Sequence, residues 1–156
     1  MAARSNARLG GAVVLAAATL ATGCGSGQSA VDRWRIRADN ACLDARAAIE
    51  RLGPIEGFAG IEDVARGAKP VARTAIGRLQ ALDAPESVRA ASGATIAALS
   101  AQLPLLDRLA AAAGRHDRHS VLALTTQGRT LERQAAAAAR RAGLAQCASH
   151  GLTPGG

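Results

Sequence analysis

The sequence predicts an all-α protein, an up-down-up-down four-helix bundle preceded by a short apolar helix at its N-terminus. Three observations predict it. Trp34 and Phe58 are the only aromatic residues, so any core must be built from Leu, Val, Ile and a great deal of Ala. Alanine has the highest helix propensity and almost no side-chain entropy to lose. Runs of β-branched residues bounded by turns are missing, while apolar residues recur at steps of three and four in four segments set apart by Gly and Pro.

The first segment, residues 30–52, carries Val31, Trp34, Ala38, Ala41, Ala45, Ile49 and Leu52 on one stripe and stops at Gly53-Pro54. A loose linker over 53–60 holds Ile55 and Phe58. The second segment, 61–82, aligns Ile61, Val64, Ala68, Val71, Ala75, Leu79 and Leu82, and Pro70 inside it is expected to kink or split the helix. Asp83-Ala84-Pro85-Glu86 then reads as a capping box with Asp83 at the N-cap. The third segment, 84–113, is expected to bend at Pro104 and to end at Gly114, with a polar turn over 115–119. The fourth, 117–142, places Val121, Leu124, Gly128, Leu131, Ala135, Ala138 and Ala142 in register, with Gly143 as its C′ residue.

Ahead of these segments, residues 1–8 contain Arg4 and Arg8 and no acid. Residues 9–21 form an apolar run too short to span a bilayer, which takes ~20 apolar residues. Leu20-Ala21-Thr22-Gly23-Cys24 closes that run with small residues before a cysteine. The segment resembles a bacterial lipoprotein signal with Cys24 as lipid acceptor, although Ala21 stands where such signals usually carry leucine. The resemblance implies cleavage before Cys24, acylation of that residue and attachment to the extracytoplasmic face of the cell membrane. The plainer alternative is an ordinary cleaved export signal. If Cys24 is acylated, residues 24–30 form a polar tether that keeps the folded domain within ~20 Å of the bilayer. The expected partition is signal peptide 1–23, lipidated cysteine and tether 24–30, bundle 31–148 and frayed tail 149–156.

Without Arg4 and Arg8 the formal charge falls from +7 to +5, and Lys69 is the sole lysine. A positive balance draws a protein toward anionic headgroups, while a GC-rich coding bias toward Ala, Arg and Gly produces the same composition. Export together with the near-absence of stacking aromatics argues against nucleic-acid binding. Cys42 and Cys147 are an even pair in an exported domain, so a disulfide between them is expected. In an antiparallel bundle the fourth helix ends beside the start of the first, and alanine seams around both cysteines let the backbones approach. The alternative is a redox-active or metal-binding thiol pair, but neither cysteine belongs to a Cys-x-x-Cys.

No catalytic constellation accompanies these features, and no enzyme activity, metal or cofactor is expected. His116 and His119 have helical metal-ligand spacing, yet His150 is expected at the opposite end of the bundle. Di-iron chemistry needs Glu-x-x-His, and Ala135 stands where the histidine following Glu132 would be. Asp39 with Arg35, and Asp107 with Arg108 or Arg115, read as exposed charges of little energetic weight. Trp34 lies among Arg33, Arg35 and Arg37, an interface-like composition, but it also lies on the apolar stripe. Trp34 and Phe58 therefore read as core or bundle-end plugs, and as partner contacts if exposed.

Arg37-Ala38-Asp39-Asn40-Ala41-Cys42, Leu79-Gln80-Ala81-Leu82-Asp83-Ala84-Pro85 and Gly143-Leu144-Ala145-Gln146-Cys147 complete the pattern. With them the chain resembles the small secreted and lipid-anchored helical proteins of high-GC actinobacteria. That resemblance implies a fold and an address but no activity. The expected function is a non-enzymatic protein-binding or scaffold module in the envelope, touching the membrane through Cys24 and an envelope protein through a helix face. The alternative is a carrier holding an apolar ligand between its helices, which a pocket of ~300 Å³ or more would favour.

Overall fold

The computed structural model describes residues 28–149, and Cys24, the signal segment and residues 150–156 lie outside them. Six helices account for most of that stretch: α1 (Ala30–Glu50), α2 (Gly57–Ala81), α3 (Glu86–Ser100), α4 (Leu103–Gly114), α5 (Arg118–Ala142) and α6 (Ala145–Ser149). No strand occurs among the described residues. The protein is an all-helical bundle.

Each helix end has a local cause. Ser29 caps α1 by accepting from the Asp32 N–H at 3.0 Å, and Asp117 caps α5 through the Ser120 N–H at 3.0 Å. Both leave their helix one donor less short of a partner. The stripe expected on α1 is the one buried: Trp34, Ala38, Ala41, Ala45 and Ile49.

Three boundaries differ from those the sequence predicts. The linker is shorter, because α2 begins at Gly57 and takes Phe58 into its first turn. Pro70 does not split α2, which continues through it for 25 residues. Asp83 is not an N-cap: Pro85 occupies that position in an extended conformation (ψ 149°) and α3 starts at Glu86. A proline disfavours helical backbone in the residue before it, so α3 cannot reach back to Ala84. The third segment is two helices rather than one bent helix. Gln102 marks the break, its carbonyl accepting from both Leu105 and Leu106 just ahead of Pro104, the second residue of α4.

The C-terminal end of α4 falls at Gly114, as the sequence predicts. The helix runs through Gly114 and closes at His116, which adopts φ 55°. Its N–H bonds to the Ala113 carbonyl and that of Asp117 to the Ala112 carbonyl, the paired bonds of a Schellman end. Gly114 also lies close to Glu62 of α2. A Cβ there would stand 3.0 Å from a carboxylate oxygen of Glu62.

Among themselves, α2 packs mainly on α4, and α3 on α5, with α1 laid along α2 and α6 bridging α5 to α1. The main core joins Trp34, Ala38, Ala72, Ile76, Leu79, Leu99, Leu106 and the α5 alanines. A second cluster, Leu105, Ala112, Ala113, Val121 and Leu124, receives Phe58, Ile61, Leu109 and Leu131. The stretch 86–114 is long and apolar enough to cross a membrane by composition, and Leu99, Leu105, Leu106 and Ala110 within it are buried in the bundle. Helix α1 lacks extended contact with α5. Ile36 and Leu43, on the side of α1 opposite its buried stripe, remain 47% and 41% exposed.

Candidate functional site

Two constructions on α1 bear on function, a clasp on one side and a groove on the other. The clasp uses Arg35, Asp39 and Cys42, whose spacing of four and then three puts them on one face. Against that face lies the turn from α5 into α6. Gly143 supplies its left-handed residue (φ 73°), and the Gly143 and Leu144 N–H groups bond to the Arg140 and Ala139 carbonyls. Leu144 is fully buried behind it.

Arg35 and Asp39 satisfy what this turn leaves open. Arg35 Nε donates to the Ala142 carbonyl at 3.2 Å. The Asp39 carboxylate accepts from the N–H groups of Ala145, Gln146 and Cys147 at 3.1, 2.9 and 3.4 Å. Those are orphan donors at the start of α6, so a side chain from α1 acts as its cap. The Cys42 and Cys147 Cα atoms lie 5.3 Å apart across 105 residues of chain, and the two sulfurs form a disulfide. The bond is reached through α6 rather than through a direct α1–α5 seam.

Asp39 is thus no free surface charge and does not pair with Arg35, which faces Asp32 at 3.7 Å instead. Asp107 likewise pairs with Lys69, at 2.5 Å, rather than with Arg108 or Arg115. Helix α6 escaped the sequence reading because five residues show no periodicity. The repeated pattern of Asp39-x-x-Cys42 against Gly143-Leu144-x-x-Cys147 was its only trace.

On the other side, α1 and α2 leave a groove of about 440 Å³ open to solvent. Its floor is alanine, with Ala41, Ala45 and Ala48 from α1 and Ala75 from α2, beside Val71. The rim is charged: Arg78 bridges to Asp44 at 2.6 Å, and Arg51 stands nearby. A second open groove, about 380 Å³, lies at the α2–α3 turn beside Leu82, Arg89 and Ile96.

The two aromatic residues are placed by packing. Trp34 is buried in the main core with its Nε1–H unpartnered, so it offers no free surface to a partner. Phe58 is half-buried on the second cluster, its ring centroid 5.1 Å from that of His116. His116 is therefore packed against a ring at the α4 end. Among the described residues no group of three or more His, Cys, Asp or Glu side chains is placed to hold a metal ion.

Two carboxyls have displaced acidities, both at helix starts. The hydroxyl of Ser29 holds Asp32 below the ordinary carboxyl value, helped by the Ser29 backbone and by Arg35. Ser120 does the same for Asp117 through its hydroxyl and its N–H. These are signatures of helix capping rather than of proton-transfer chemistry.

No family model, curated protein sequence or solved structure matches the chain.

Proposed function

We propose that this protein is a cell-envelope lipoprotein, anchored through Cys24 to the outer face of the cytoplasmic membrane. Its bundle acts as a non-enzymatic module that binds an envelope protein along the α1–α2 groove. In this reading α1, α2, the broken α3–α4 pair and α5 run up-down-up-down, the topology of lipid-anchored actinobacterial helical proteins. The groove carries the proposal. An alanine floor lets a partner's backbone approach closely, and the Asp44, Arg51 and Arg78 rim supplies polar anchors of the kind interfaces use. The joined Cys42–Cys147 pair supports an oxidising compartment.

The carrier reading finds support only in the groove's volume. An apolar ligand needs most of its surface enclosed, whereas this groove is open along one side with charges on its lip.

The test is a photo-cross-linking residue at Thr74, on the groove wall, in full-length protein expressed in membranes. One discrete protein adduct is expected, and Ala48→Arg, which fills the groove from a partly exposed position, should abolish it while leaving the helical circular dichroism unchanged. A lipid adduct in its place would favour the carrier. Adducts that form equally from Thr74 and from Leu122, on the outside of α5, would refute the groove as the binding site.

A further inference from the structure

We propose that the end of the bundle where the tether enters is a docking surface for an anionic lipid bilayer, contacted by Arg33, Arg37, Arg140 and Arg141. The proposal takes its direction from the anchored reading. Cys24 precedes the Ser29 cap of α1 by five residues, so a lipid there keeps the start of α1 within ~20 Å of the membrane.

The fold brings both arginine pairs to that end, because Arg35 ties the start of α1 to the Ala142 carbonyl at 3.2 Å. Residues 30–39 and 140–149 hold five arginines against two aspartates. Both aspartates are engaged, Asp32 by Ser29 and Arg35, and Asp39 by the three α6 N–H groups. Arg33, Arg37, Arg140 and Arg141 are exposed and form no ion pair among the described residues, Arg33 touching only the Gln28 backbone oxygen. At the other end of α1 the balance reverses. Residues 46–66 carry three arginines against four acids, with Arg46 on Glu50 and Arg66 on Glu62.

Stability alone does not explain this placement. Arg140 and Arg141 complement the negative end of the α5 dipole, but Arg33 lies at the first turn of α1, where the dipole disfavours cations, and Arg37, the eighth residue of the helix, gains nothing from it. Guanidinium groups on long stems are suited to paired contacts with phosphate oxygens. A lipid headgroup layer offers those oxygens on the side the tether approaches.

The experiment is co-sedimentation of the full chain carrying Cys24→Ser, which cannot be acylated, with phosphatidylcholine vesicles with and without phosphatidylglycerol. Vesicles lacking phosphatidylglycerol set the contribution of the apolar run at 9–21. Phosphatidylglycerol should strengthen binding, and Arg33→Gln, Arg37→Gln, Arg140→Gln and Arg141→Gln together should weaken that gain about five-fold for each arginine removed. A control with Arg73→Gln, Arg115→Gln, Arg118→Gln and Arg129→Gln loses the same net charge from exposed positions elsewhere and should retain most of the gain. Equal losses in the two quadruple variants, or equal binding to both vesicles by the Cys24→Ser chain, would overturn the proposal. Palmitate labelling of the unaltered chain tests the anchor separately, so failure of one is distinguishable from failure of the other.

Discussion

Replacing Cys42 and Cys147 together by alanine should remove a large share of the stability of this domain. The disulfide closes a loop of 105 residues, within a described domain that spans only residues 28–149. By the chain-entropy argument, such a loop restrains the unfolded chain by ~4.7 kcal/mol. The folded state contributes little to the difference, because Arg35, Asp39 and the buried Leu144 still dock the α5–α6 turn when the sulfurs are apart. The whole effect should therefore appear as easier unfolding with native helicity retained. At an unfolding entropy of ~2.1 cal/mol/K per residue, the midpoint should fall by about 15–20 °C. Circular dichroism melts of the oxidised protein, the reduced protein and the double variant provide the assay, and the last two should agree. A fall of less than about 4 °C, near 1 kcal/mol, would mean that the reduced chain is already held by other contacts.

Asp39→Ala should cost about 1–2 kcal/mol in urea unfolding and should hasten reduction of the disulfide by dithiothreitol, since α6 loses its cap; unaltered reduction kinetics would count against the clasp. Gly143→Ala should cost more than an ordinary surface change, about 1–2 kcal/mol for the left-handed backbone alone, because its Cβ would also meet the Arg35 guanidinium at 2.6–2.8 Å. Pro70→Ala should stabilise the protein, by at most ~3 kcal/mol, since α2 is continuous there and Pro70 is exposed; a loss of stability would show that Pro70 packs in a way the helix needs. For Asp32 and Asp117 the folded acidity constant is lowered, so their contribution is complete well above the ordinary value of 3.8 and is lost as pH falls through the folded value. Asp117→Ala should flatten the acid limb of stability against pH, and an unchanged slope below about pH 4 would refute that linkage.

Most of the helical content was legible along the chain, because three-four periodicity of small apolar residues survives in a linear reading. The stripes on α1 and α5 are buried almost residue for residue, and Ser29, Asp117 and Gly143 stand at helix ends, where their backbone chemistry belongs. The misplacements fall where a distant contact outweighs a local preference. Pro70 stands inside an α2 that packs on both α1 and α4 and continues without a split. Asp39 looked like a surface charge because its three partners lie more than a hundred residues away.

Local pattern alone was enough for the helical class, for most of the buried stripes and for the pairing of the two distant cysteines. The break at Gln102, the packing of α1 on α2 and α6, and the gathering of five arginines around the start of α1 and the end of α5 emerge only in three dimensions. The physical reason is one of range. Propensity, capping and periodicity act within a few residues, whereas which helix faces meet is set by packing among parts of the chain that no local pattern records.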